Sequence, residues 1–327
     1  MSREDWCYVS GLVAALETRL LQPGFFDQLL NAASEEDLLV YLGDTELEEE
    51  FEDLPDLADA EVRIERFLRT RLMDVRSFCP EASVVDMVFA EADFLNFKAV
   101  GKSALLGIEE PFSAAGSIPQ DRFRRIWEDG ESDGVMWDEL AKEVKTRIEE
   151  MDDKPFAIDL IVDKAHLRFI ENCAERLESP LATNYARLYC AWKKATVLYR
   201  ARTGRTSAAQ VASLFLDEKD AWLRPILNGA EKDMMNALRS ALSGRVFEAF
   251  QKAPQAEKVF VLEDAGGKDV MSTVREAKGF AYGPEPVLGY VCGLVSEAAN
   301  LKLAVGSVLN RLPTERVRPK LRAVYVQ

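Results

Sequence analysis

Apolar residues spaced alternately three and four apart recur along almost the whole chain, and this period restricts the fold more than any other feature. Trp6, Val9, Val13, Leu16 and Leu20 form one stripe, Ile64, Leu68, Leu72 and Val75 another. Leu181, Tyr185, Leu188, Trp192, Ala195 and Tyr199 form a third. The spacing puts one apolar face on a helix and does not suit a strand, whose side chains change face at every residue. β-Branched alternation is confined to short pieces such as Val259-Phe260-Val261. The sequence therefore predicts an all-α fold.

Turn residues and caps cut this pattern into helices. Pro23-Gly24 ends the first. Ser34 is placed to cap a helix whose first turn holds Glu35, Glu36 and Asp37, favourable beside its positive end. Gly43-Asp44-Thr45 interrupts that helix. A long helix from Leu57 to Phe78 stops at Cys79-Pro80, since the residue before proline is pushed out of helical geometry. A second runs from Glu81 to Leu106. Shorter helices follow Ser117-Ile118-Pro119, with breaks at Asp129-Gly130 and Asp133-Gly134. A long helix from Phe156 and another opened by Ser179-Pro180, an N-cap with proline at the first helical position, come next. From Thr206-Ser207 shorter helices cover Val211 to Phe215, Glu231 to Leu242 and Val246 to Phe250. Pro254 and Gly266-Gly267 are expected to shorten the long helix after them. Gly283-Pro284-Glu285-Pro286 then launches the last long helix, and Thr314 to Tyr325 is a basic segment interrupted by Pro319.

This order repeats. Pro80, Pro180 and Pro286 stand at helical-hairpin corners about 100 residues apart. Asp93-x-x-Asn96-Phe97-Lys98 follows the first, and Glu297-x-x-Asn300-Leu301-Lys302 follows the last, each grouping polar side chains on one helical face. At the middle corner the matching place reads Trp192-Lys193-Lys194-Ala195. The period exceeds the roughly 20 to 50 residues of solenoid repeats, so three larger helical units packed in a ring or arc are expected. Their boundaries fall at 1–112, 113–205 and 206–327.

With 327 residues the chain can bury a large core, and 30% charged and 48% hydrophobic residues describe an ordinary soluble globular protein. A net charge of -15 argues against nucleic acid or anionic lipid as a direct ligand and suits a basic protein partner. No uninterrupted apolar run approaches the roughly 20 residues of a membrane helix. The best, Val287 to Val295, is flanked by Glu285 and Glu297. Met1-Ser2-Arg3-Glu4-Asp5 leads straight into an amphipathic pattern, without the look of a signal peptide. Cys7, Cys79, Cys173, Cys190 and Cys292 are scattered, which fits reduced cytosolic thiols.

Catalytic chemistry finds little support. The single histidine, His166, lies on a strongly patterned helix and reads as structural or surface. Gly266-Gly267-Lys268-Asp269 lacks the glycine and hydroxyl of a phosphate loop, since Leu262 and Asp269 occupy those places. Asp152-Asp153-Lys154-Pro155 offers two carboxylates but no third a turn later for magnesium. The acidic run Glu46 to Asp53 reads as a solvated face. In the repeated motif, mutual pairing and contacts with helix ends are expected, since buried unpaired carboxylates are costly. Asp93 and Glu297 as an acid and base remain an alternative, without a visible nucleophile to complete them.

The chain resembles the central-stalk socket of V-type and A-type rotary ATPases, the C-type subunit of archaeal and bacterial complexes and the d-type subunit of eukaryotic ones. The resemblance rests on Tyr8-Val9-Ser10-Gly11-Leu12-Val13, Arg19-Leu20-Leu21 and Leu38-Leu39-Val40-Tyr41-Leu42-Gly43-Asp44-Thr45, then on Asp93-Phe94-Leu95-Asn96-Phe97-Lys98. It continues through Phe280-x-Tyr282-Gly283-Pro284-Glu285-Pro286-Val287-Leu288-Gly289-Tyr290, the Glu297, Asn300 and Lys302 set, and Asn310-Arg311-Leu312-Pro313. The chain departs from the family at Trp192 and Ala195, at Gly289 and Gly293, which are expected to loosen the last long helix, and at Pro319. The resemblance implies a funnel of three helical units with no catalytic, cofactor or metal site. It implies a place on the cytoplasmic face of a membrane, between the D- and F-type shaft proteins and the proteolipid ring, with torque passed for proton or sodium transport. A free-standing acidic all-α scaffold for a basic protein is the alternative.

Overall fold

The computed structural model describes residues 3–51, 57–130, 135–149, 151–204 and 207–326. Among these it has seventeen α-helices, short 3-10 turns and no strand, so the fold is all-α. The expected break at Asp133-Gly134, the end of the acidic run at Glu52 and Asp53, and Thr206 lie outside the described residues.

The long helices fall where the apolar stripes place them: Ala60–Phe78, Ser83–Leu106, Lys154–Leu177, Pro180–Thr203 and Pro284–Leu309. The caps also act as their chemistry dictates. Ser34 Oγ accepts the Asp37 N–H at 3.1 Å, and Ser179 Oγ accepts that of Ala182 at 3.3 Å. Pro23 opens a helix, Pro23–Leu30, at the position where a missing N–H costs nothing.

Three expectations are corrected by close packing. Gly266-Gly267 does not break its helix, which runs unbroken over Lys258–Val274 and includes Val259-Phe260-Val261. A Cβ on Gly266 would lie 2.5 Å from the Trp192 ring, so the missing side chain admits the indole. Gly289 and Gly293 likewise do not loosen the Pro284–Leu309 helix. One turn apart, they form a shallow groove in which Tyr325 lies, its Cζ 2.7 Å from a Cβ built on Gly289 and its Cβ 3.0 Å from one built on Gly293. The apolar window of this helix also reaches past Val295, because small residues flank Glu297. It is the one described helix long and apolar enough to cross a membrane, with a mean hydropathy of 1.3, yet 67% of that window is buried within the protein. A core helix of a globular unit fits that burial.

The chain groups into two compact units, the first comprising 1–88, 174–185 and 270–327, the second 89–173 and 186–269. In the first, the Pro284–Leu309 helix packs against Cys7–Glu17, Pro23–Leu30 and Ala60–Phe78. Val287, Val291, Leu294 and Leu301 fill its core with Val13, Leu29, Ile64 and Leu72. The second is centred on aromatic rings. Phe97 lies 4.6 Å from Trp127 and 4.9 Å from Trp137 between centroids, with Phe94 and Phe123 within 5.0 Å of Trp137. Trp127 Nε1 donates to Phe97 O at 3.1 Å, satisfying the indole where water is excluded.

Candidate functional site

The repeated motif forms one polar cluster in each unit, and the two clusters make the same contacts. Consider first the second unit. Asn96 is completely buried on the Ser83–Leu106 helix. Its Nδ2 donates to Ser113 O at 2.9 Å and its Oδ1 accepts the Ser113 N–H at 2.7 Å. A primary amide offers a donor and an acceptor side by side, so it can replace a neighbouring strand for one residue of non-helical backbone. One turn earlier, the buried Asp93 accepts Ser117 Oγ–H at 2.6 Å and the Ile118 N–H at 3.1 Å. Gly116 sits between these contacts, and a Cβ there would come within 2.6 Å of Asn96 Nδ2 and 2.8 Å of Asp93 Oδ1. Lys98 reaches instead to Asp163 at 2.5 Å and Asp159 at 3.9 Å on the Lys154–Leu177 helix.

The first unit repeats the arrangement. Asn300, buried on the Pro284–Leu309 helix, donates to Arg322 O at 3.0 Å and accepts the Arg322 N–H at 2.7 Å. One turn earlier Glu297 accepts the Leu21 N–H at 2.6 Å. Lys302 bridges Glu65 at 2.6 Å and Glu61 at 3.2 Å on the Ala60–Phe78 helix. Each cluster therefore consists of an amide clamped onto one non-helical residue, a carboxylate holding a further backbone N–H, and a lysine set between two carboxylates four residues apart.

The expected mutual pairing of the motif groups is absent from these contacts: their partners are non-helical backbone and a neighbouring helix. The charge consequences differ. Burial pushes the Glu297 carboxyl up to about 7 against the pull of the Leu21 N–H, and nearby Glu46 raises it further. Burial likewise raises Asp159, even with Lys98 and Lys102 beside it.

The launching turn is built by separate contacts. Gly283 adopts φ 131°, a left-handed region that suits glycine, and exchanges hydrogen bonds with Ser10 Oγ at 3.2 and 3.4 Å. Pro284 and Pro286 occupy the first helical turn, and buried Glu285 accepts Ser179 Oγ–H at 2.9 Å. Tyr290, also buried, has its hydroxyl pKa raised by that burial. His166 is buried rather than exposed, stacked on Phe94 at 5.1 Å, and burial depresses its pKa to about 4.

Sequence reasoning missed Ser10, Ser113, Gly116, Arg322 and Tyr325, which carry no recognisable pattern of their own. One signal was readable: Glu61/Glu65 and Asp159/Asp163 each place like charges at i and i+4, an arrangement that is destabilising until a cation is set between them.

The geometry defines a class first: an all-α protein whose most polar buried motifs are engaged in holding its own backbone. Residues 9–320 match the ATP synthase (C/AC39) subunit family, and the chain belongs to it. This is the family of the C-type and d-type subunits of V/A-type ATPases, and its members are parts of a membrane-associated complex. No curated protein matches the chain.

Proposed function

We propose that the chain is the non-catalytic central-stalk socket of a V-type or A-type rotary ATPase. It joins the D- and F-type shaft proteins to the proteolipid ring on the cytoplasmic face and passes torque for proton or sodium transport. The observation that carries this reading, beside family membership, is the twofold occurrence of the same clamp. Asp93, Asn96, Lys98, Glu297, Asn300 and Lys302 act as structural pins of a repeat, with Pro284, Glu285, Pro286 and Tyr290 setting the last hairpin. Such pins suit a mechanical part. They fix non-helical segments to long helices, and close-packed interiors resist deformation. Three helical units, 1–112, 113–205 and 206–327, would give that part its repeat, the middle copy having replaced the clamp by Trp192 against Gly266.

The test is to identify the proteins of the rotary ATPase extracted from membranes of the source cells. This chain should be present together with the shaft proteins and the proteolipid. An assembled, ion-pumping complex lacking it, with the chain recovered instead on a basic soluble protein, contradicts the reading.

A further inference from the structure

The overall charge of -15 hides a strong segregation. From Leu20 to Val62 there is no lysine or arginine at all, whereas residues 311–322 hold Arg311, Arg316, Arg318, Lys320 and Arg322 against Glu315 alone. All five cationic side chains are exposed. Arg318 pairs with Asp27 at 2.8 Å, while Arg311, Arg316, Lys320 and Arg322 have no ion-pair partner among the described residues.

This segment is held in place despite its exposure. Arg311 takes a left-handed conformation, φ 52°, unusual for a residue with a side chain, and the turn it makes is closed by Leu312 N–H donating to Ser307 O at 2.8 Å. Thr314 Oγ donates to Leu30 O at 3.0 Å, Val317 is buried, and the backbone of Arg322 is clamped by Asn300. Beside Arg311, Leu312 is 52% exposed. The result is a fixed cationic ledge with an apolar tip.

At physiological salt charges interact over about 8 Å, so the distant acidic surface is largely screened and the local balance decides what the ledge attracts. We infer that residues 311–322 dock on anionic phospholipid headgroups. Headgroup phosphates can move to meet four cations spread over a helical turn, a 3-10 turn and their flanks. An acidic protein would need carboxylates preset at matching places. Leu312 can enter the headgroup boundary, and the family works at a membrane. The inference depends on family membership and not on the torque reading.

The test is flotation of the purified full chain with vesicles of phosphatidylcholine alone and with phosphatidylglycerol added. Binding is expected only to the anionic vesicles and should disappear in high salt. Replacing both Arg316→Gln and Lys320→Gln should weaken it about 25-fold, at about fivefold per charge, with an unchanged melting curve. Lys252→Gln, on an exposed side chain elsewhere, should leave it unaltered. Equal binding to neutral vesicles, no binding to either, or wild-type binding by the double variant overturns the inference. So does binding to poly-glutamate but not to anionic vesicles, which would assign the ledge to an acidic protein. These vesicles contain no ATPase, so either outcome leaves the socket reading to its own test.

Discussion

Asn300→Ala is the perturbation whose cost follows most directly from the geometry. The substitution removes two hydrogen bonds, at 2.7 and 3.0 Å, and leaves the main chain of Arg322 without its clamp. Each bond contributes about 1 kcal/mol net, and a small cavity opens at a buried site, so a loss of about 2–4 kcal/mol is expected. Tyr325→Ala should cost about 3–5 kcal/mol on its own, since the ring lies buried over Gly289 and Gly293. Both residues hold the same segment, 322–325. If releasing one also releases the other, the double variant should lose at least about 1 kcal/mol less than the sum. Urea denaturation of the purified chain gives the three values, and hydrogen exchange at the Arg322 amide reports local release. Strict additivity, or a cost for Asn300→Ala below about 0.5 kcal/mol, would refute the clamp.

Other outcomes follow from the same contacts. Glu297 ionises at about 7 in the folded chain against 4.5 in the unfolded one, so folding holds its proton more tightly and stability falls as pH rises from about 4.5 to 7. Glu297→Gln still accepts the Leu21 N–H and lacks that penalty. Its stability relative to wild type should therefore rise by roughly 3 kcal/mol between pH 5 and pH 8 in denaturant titrations, and a pH-independent difference would contradict the assignment. Gly101→Ala should destabilise the second unit by about 1–3 kcal/mol, read as a lower melting temperature, because the new Cβ would stand 2.5 Å from the Trp127 ring. Gly116→Ala should disturb the Asn96 clamp in the same way; a neutral effect would mean that Asp93 and Asn96 yield without cost.

Much of the fold was legible because burial in helices has a period. The stripe from Ile64 to Val75 and the Ser179-Pro180 start are consequences of local geometry, and the structure places helices there. Gly266, Gly289 and Gly293 were misread for a reason equally physical. Local propensity treats a helical glycine as a weakness, whereas at these positions a large ring from elsewhere in the chain occupies the space a Cβ would take. The motif residues were found by their spacing, but their partners were not. Ser113 and Arg322 contribute main-chain atoms, which no side-chain pattern announces. The basic ledge was also visible as a run of residues, and the net charge of the whole chain obscured it.

The coupling ratio of the assembled ATPase tests the central claim most directly: ions transported per ATP hydrolysed, in vesicles bearing wild-type chain or the Asn96→Ala, Asn300→Ala double variant. A part that transmits torque without catalysing should, when loosened, leave hydrolysis near its wild-type rate while transport falls, so that the ratio drops. A ratio unchanged while hydrolysis itself is abolished would contradict the account, because it would place these residues in the chemical step.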